Sequence, residues 1–431
     1  MGTHTSSTRR RLRAALALAL ATAVTATVAA TASATPAGAV GAGPGVDTTP
    51  PAMQLAKLSQ QAADAGSLGV IVRVDGGRGP AVEIARQAAW TKADHILKAN
   101  DQFRMASNTK TLTATLILQL VAERKVGLAD PVENWLPGVV PGGEAITIKM
   151  LLNHTSGLND FLLHPDFLPS LLGLDRRRWT PEQLLALTTA QNPPGEQWSY
   201  SNANYQALGL VLEKATGQRL ADLIEQRITR PLGMTHTYLA TDAGWRAGHD
   251  HATGYEPDAE HLAPILPPGT PEGIGFAGPE RNDHVNTTDM DVSSWTGAAG
   301  GMVSTAQDWD RFLTALMSGR LLPPAQMKQM RTTVAQDPAD PKGDRYGLGL
   351  MEVRTPCGTV WGHTGGLPGY SSEIYTDGTG RRSVTVLNST NFGVQLPAAA
   401  TANKALVNAA ACTMLGKPVP TTTTTTTTPT R

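Results

Sequence analysis

Phe103-Arg104-Met105-Ala106-Ser107-Asn108-Thr109-Lys110 runs directly into Thr111-Leu112-Thr113-Ala114-Thr115-Leu116-Ile117-Leu118-Gln119-Leu120-Val121, and the rest of the chain is read around this stretch. Leu112, Leu116, Ile117, Leu118, Leu120 and Val121 leave the predicted helix without a wholly polar face. A helix that is apolar nearly all round is a buried one. Its first turn nevertheless carries a hydroxyl and an amine, Ser107 and Lys110, at a spacing that sets both on one helical face. A serine nucleophile needs a fixed position, little water and a base in reach. Taken alone, S-x-x-K is a common chance match, and a serine near a helix start is more often a cap. The motifs further along decide between the two readings.

The chain has 431 residues, of which 41% are hydrophobic, enough for two or three domains or for one large domain with an insertion. Thirty-six Lys and Arg are balanced by thirty-six Asp and Glu. That balance argues against a nucleic-acid partner and supplies no global field for a polyionic substrate. Arg9, Arg10, Arg11 and Arg13, the Ala-rich run Ala14 to Ala30, and the small-residue site Ala32-Ser33-Ala34 predict a signal peptide over 1–34. Thr8-Arg9-Arg10-Arg11-Leu12 resembles a twin-arginine signal, which implies export after folding. Residues 35–51 read as a flexible lead-in, and 416–431 as a Thr-rich low-complexity tail. No later segment is long and apolar enough to span a bilayer, so a secreted monomer without stable membrane insertion is expected. Cys357 and Cys412 are the only cysteines; outside the cell one disulfide is favoured over two free buried thiols.

Gly69-Val70-Ile71-Val72-Arg73-Val74-Asp75 reads as a strand, with Ala81 to Trp90 as its hairpin partner. The Ser107 helix is expected to stop at Gly127. Thr147 and Thr180 are predicted caps, the latter with Pro181 at the first helical position and Gln183 completing a capping box. Helices are expected over 204–216, 220–228, 305–316 and about 398–412, and late strands over 359–361, 372–375 and 383–387. Strands near both ends with helices between predict an α+β fold. Its antiparallel sheet is built from both ends of the chain, within a unit over 52–415 that carries a helical insert at about 136–296.

Two more clusters carry chemistry. Tyr200-Ser201-Asn202 follows Pro193-Pro194-Gly195, in a loop just before a helix. A phenol can relay a proton there, and a carboxamide can hold a substrate carbonyl. His363-Thr364-Gly365-Gly366 is placed at the end of a strand, where its glycines allow a ligand close to the backbone. His249-Asp250-His251 reads as solvated loop rather than a metal pair, since no ligand set accompanies it. His154 reads as a loop brace.

Ser107-x-x-Lys110, Tyr200-x-Asn202 and His363-Thr364-Gly365, in that order, resemble the serine penicillin-recognising enzymes. The match is closest to the secreted D-alanyl-D-alanine carboxypeptidase and class C β-lactamase branch. It extends over most of 55–415, through Leu152-Asn153-His154-Thr155-Ser156-Gly157-Leu158 and Tyr346-Gly347-Leu348-Gly349-Leu350. The resemblance implies a β-lactamase/transpeptidase-like fold, a cysteine pair matching Cys357 and Cys412, and no cofactor or metal. It also implies an acyl-enzyme on Ser107, with Lys110 and Tyr200 moving the proton. Asn202, His363, Thr364, Gly365 and Gly366 would bind substrate, the backbone N–H groups of Ser107 and Gly366 would form the oxyanion hole, and His363 would polarise the Tyr200 region. Trp295 resembles an aromatic of the substrate groove, although core packing accounts for it equally well.

The resemblance departs where the carboxypeptidase grips a terminal carboxylate: Met351 and Gly366 stand in the places of an arginine and a threonine. Arg345 and Arg354 are the candidate replacements. The expected activity is therefore a D-alanyl-D-alanine carboxypeptidase-like hydrolase acting on a small peptide, with a peptidoglycan stem peptide among the candidates. The alternatives are a class C-type β-lactamase, an esterase or a D-amino-acid amidase with β-lactam-like, ester or amide substrates. A non-catalytic penicillin- or wall-binding module is the alternative of a different class.

Overall fold

The computed structural model describes residues 50–242, 244–266, 270–340 and 342–419. The signal peptide expected over 1–34, most of the 35–51 lead-in and the Thr421–Thr428 run lie outside the described residues.

Helix α1 (Pro51–Ala62) starts with proline at its first position, where a missing N–H costs nothing. It leads into β1 (Gly69–Asp75), and β2 (Val82–Gln87) folds back on it as the predicted hairpin, with Val72 opposite Ile84. Then come α2 (Thr109–Ala122), α3 (Asn202–Thr216), α4 (Ser293–Gly300) and α5 (Ala306–Met317). The chain returns as β3 (Val334–Ala335), β4 (Arg345–Tyr346), β5 (Met351–Thr355), β6 (Gly358–Leu367), β7 (Tyr370–Thr376) and β8 (Ser383–Asn388). Helix α6 (Pro397–Met414) closes it.

The strands form one eight-stranded sheet in the order β2-β1-β8-β7-β6-β5-β4-β3, antiparallel at every step. Strands from both ends of the chain meet at the β1–β8 step, one strand in from the β2 edge, where Val70 pairs with Asn388. Alternation along β1 sorts its side chains between two cores. Val70, Val72 and Val74 join Leu55 of α1 and Leu406 of α6 on one face. Ile71 joins the larger cluster holding Leu112, Leu116 and Ile117 of α2 on the other. The Cys357–Cys412 disulfide ties the β5–β6 turn to α6.

Three expectations need correction. Helix α2 ends at Ala122 rather than Gly127, and Ser107 sits not in it but on the 3₁₀ turn Ala106–Asn108 that leads into it. The HTGG segment lies inside β6 rather than at a strand end. Its glycines hide a strand from propensity, but pairing with β5 and β7 imposes one. Helix α3 starts at Asn202, so the carboxamide stands on a helix and only Tyr200 remains in the loop. The Asp160 carboxylate accepts the Asn202 N–H at 3.2 Å and so captures a helix-end donor earlier than the sequence suggests. The predicted caps at Thr147 and Thr180 are present, Thr305 caps α5 in the same way, and Gly217 ends α3 in a left-handed conformation.

Candidate active site

Ser107 keeps part of its surface open to solvent, whereas Lys110, on the first turn of α2, is fully buried. The turn runs straight into α2, and the three-residue spacing sets the Lys110 side chain on the Ser107 face, beneath the hydroxyl. The residue before the nucleophile, Ala106, has φ 49°, a left-handed conformation costing about 1 kcal/mol or more for a residue with a Cβ. Gly365 of β6 permits that turn to sit against the sheet: a Cβ there would come within 2.4 Å of the Met105 carbonyl oxygen. This close approach, rather than contact with a ligand, accounts for the glycine.

The Lys110 amine lies 3.0 Å from Ser107 Oγ, 2.7 Å from Asn202 Oδ1 and 2.8 Å from the Ala299 carbonyl oxygen of α4. It also sits 4.8 Å from the centre of the Tyr200 ring and 5.5 Å from that of Tyr205. Burial pulls its pKa from 10.5 to about 7, against an upward pull from Asp160. Burial holds the Tyr200 phenol well above its ordinary value, with contact to the Ser107 hydroxyl opposing. Tyr200 retains some exposure, which softens this push without reversing it. At neutral pH the site therefore pairs an amine near its titration point with a protonated phenol.

His363 departs from its expected part. Its Nδ1 is 2.5 Å from the Thr364 carbonyl oxygen and so must be the protonated nitrogen, leaving Nε2 to accept from the Tyr346 hydroxyl at 2.8 Å. Burial and the nearby Lys110 push its pKa down to about 3. A neutral ring enclosed in this way cannot place a positive charge near Tyr200 as a lysine would. The Thr364 hydroxyl faces the Met351 sulfur at 4.0 Å. Arg345 is held by Thr333 and Arg354 by Glu352 and Thr359, on the outer strands of the sheet.

Ser107, Asn202, Trp295 and Gly366 converge on one small niche, completed by Phe161, Leu162 and Leu367. The space in it is about 20 Å³, lined mainly by apolar surface. Trp295 also borders a second, open hollow of about 550 Å³, between the 170–177 and 277–291 segments, where Arg176, Arg177 and Asp289 stand. Trp295 is buried and packs on Phe167 at 5.4 Å, which is the core-packing part, and it borders both spaces.

Several residues around the site carried no catalytic assignment from sequence. His154 is a brace, as read: its ring lies 4.3 Å from that of Tyr200, and its Nδ1 accepts the Ser201 N–H at 3.2 Å. Tyr346 and Tyr205 close the cage around it, at 4.9 and 5.4 Å. Asp160 is the important omission; its only signal was an isolated acid ahead of the apolar run Phe161-Leu162-Leu163. The His249, Asp250 and His251 side chains go to separate partners, His236, Lys98 and Trp245.

A buried amine under a hydroxyl, a phenol above it and a carboxamide beside it, set between an antiparallel sheet and helices, define a serine acyl hydrolase of the penicillin-recognising superfamily. The model of the beta-lactamase family matches residues 55–409, and the chain belongs to that family. It is similar to "Esterase EstB" of Burkholderia gladioli, at 31% identity over 283 residues, 62% of this chain and 71% of that protein. It is also similar to "Penicillin-binding protein 4*" of Bacillus subtilis, at 28% identity over 64% of this chain but only 58% of that one. Among solved structures, a D-stereospecific amidohydrolase from Streptomyces sp. superposes with a TM-score of 0.67 at 33% identity, over 79% of this chain and 94% of the other. A D-amino acid amidase from Ochrobactrum anthropi SV3 shares the fold, with a TM-score of 0.71 at 24% identity over 84% and 98%.

Proposed function

We propose that the protein hydrolyses short peptides or amides of D-amino acids through an acyl-enzyme on Ser107. The D-alanyl-D-alanine carboxypeptidase is the narrower reading within that class. The observation that carries the proposal is the 3.0 Å contact between the Lys110 amine and Ser107 Oγ, with the amine near its titration point. Neutral Lys110 takes the hydroxyl proton as Oγ forms its bond to the substrate carbonyl carbon. The N–H groups of Ser107 and Gly366 receive the oxyanion, and Asn202 and Gly366 flank the acyl group. When the carbon–nitrogen bond breaks, Tyr200 protonates the leaving amine and recovers its proton from Lys110. Water then repeats the sequence to release the acid. His363 acts from behind, by holding Tyr346 in the ring cage, and the Thr364 carbonyl oxygen fixes the His363 ring by accepting from its Nδ1.

The niche supports a small group next to the carbonyl, and the wider hollow past Trp295 supports a polar extension. The similarity to a D-stereospecific amidohydrolase favours amides over esters. The loss of an arginine at Met351 speaks against strict dependence on a terminal carboxylate. Export by residues 1–34 belongs to the same proposal, supported by the disulfide between the only two cysteines. The test is a panel of a D-alanyl-D-alanine peptide, a D-alanine amide, nitrocefin and a short nitrophenyl ester, run on the wild type and Ser107→Ala. Turnover of the D-amide or D-peptide that vanishes in Ser107→Ala is expected. Turnover of nitrocefin or the ester alone would overturn the substrate class, and activity surviving in Ser107→Ala would overturn the mechanism.

A further inference from the structure

Asp160 is a buried carboxylate with no water-facing role. Its Oδ2 accepts from Asn202 Nδ2 at 2.7 Å and from the Asn202 N–H at 3.2 Å, and its Oδ1 accepts from the Leu162 N–H at 3.1 Å. Burial raises the Asp160 carboxyl above its ordinary value, while these three N–H donors, two of them from Asn202 at the N-terminus of the fifteen-residue α3, and the Lys110 amine pull it back toward the anion. An asparagine amide can be turned either way, one end donating and the other accepting. A carboxylate can only accept, so Asp160 draws Nδ2 to itself and leaves Oδ1 for the Lys110 amine at 2.7 Å.

We infer that Asp160 is a positioning residue of the reaction, acting through Asn202 as a relay: it fixes which end of the amide faces Lys110 and serves as the counter-charge to that amine. The inference rests on the reading of Ser107 and Lys110 as the reacting pair. The groups facing Lys110 come from every surrounding element. Ser107 belongs to the turn before α2, Tyr200 to the loop before α3, Tyr205 to α3, His154 to the loop after Leu152, and His363 and Tyr346 to the sheet. The two histidines are driven neutral by burial and the tyrosines are held protonated by it. Among the described residues, Asp160 is thus the one source of negative charge facing Lys110. Without it, a desolvated amine would keep no partner favouring its protonated form. The protonated form must exist for part of each turnover, because Lys110 carries the serine proton until the leaving group takes it.

The experiment compares wild type, Asp160→Asn and Ser107→Ala as full chains, recording kcat, KM and the pH profile of kcat/KM on a nitrophenyl ester and on the D-amide. In Asp160→Asn the acid limb is expected to move down by about one pH unit, with kcat about tenfold lower and KM nearly unchanged. A fall in activity with the acid limb in place, or a changed thermal midpoint alone, would mean a merely structural role and overturn the inference. Should Asp160→Asn not fold, Asp160→Glu gives the answer. It keeps the charge, so its acid limb should stay with the wild type while kcat falls; a limb displaced downward would overturn the counter-charge. Hydrolysis that persists in Ser107→Ala would instead remove the underlying reading, so the two failures are told apart.

Discussion

The Lys110 amine lies 3.0 Å from the Ser107 hydroxyl with no surface of its own in contact with solvent. Enclosure makes the amine useful as a base, because it brings the pKa down to about 7. The rate should follow the neutral amine, so kcat/KM is expected to rise with pH through an apparent pKa of about 7. Replacing Lys110 with methionine keeps the bulk and removes the base; kcat/KM is expected to fall by about 10³, as measured beside a circular dichroism control.

The same burial has a stability signature. In the unfolded chain the amine stays protonated up to its ordinary value of 10.5, whereas in the folded protein it begins to release its proton at about 7. Between these values the unfolded state binds more protons, so this group's contribution to stability rises with pH. Denaturant midpoints measured at pH 7 and pH 9 should therefore show the wild type gaining on Lys110→Met as the pH rises.

Tyr200 is proposed as the donor to the leaving group. A poor leaving group such as an alkyl amine needs that proton, while a nitrophenolate departs without it. Tyr200→Phe is thus expected to lower amide hydrolysis by about 10² or more and nitrophenyl ester hydrolysis far less. Equal losses on both substrates would point to a packing defect, given the stacking of Tyr200 on His154.

Arg176 borders the hollow past Trp295 and has no ion-pair partner among the described residues. An acyl donor whose tail carries a carboxylate should find it there. Arg176→Glu is expected to raise KM for such a donor about tenfold and to leave a tail-less nitrophenyl ester unchanged. Steady-state kinetics on the matched pair checks this.

Glu256 is buried between segments distant in sequence. It accepts N–H groups from Gly369, Asn391 and Phe392 at 2.6, 3.0 and 2.9 Å and the Thr390 hydroxyl at 3.0 Å. A glutamine has one acceptor oxygen in place of two, so Glu256→Gln leaves buried donors unmatched. A loss of about 3 kcal/mol is expected in urea unfolding.

Much of this was legible in the chain because the motifs carry both chemistry and spacing. Ser107, Lys110, Tyr200 and Asn202 do converge, as S-x-x-K and Y-x-N implied. The hairpin of β1 and β2 and the caps at Thr147 and Thr180 followed from local patterns. What escaped was set by tertiary contacts. The strand through His363 is imposed by its neighbours, not by its glycines. The charge state of His363 depends on burial, which no residue letter reveals. Asp160 acts through an amide forty-two positions away, a pairing that local spacing cannot disclose.

The pairing of Val70 with Asn388 sets the order of assembly. A ribosome releases the first of these strands long before the second, so the β1–β2 hairpin must wait beside an unfilled seam until nearly the whole polypeptide has emerged. Such distant closure makes for slow maturation.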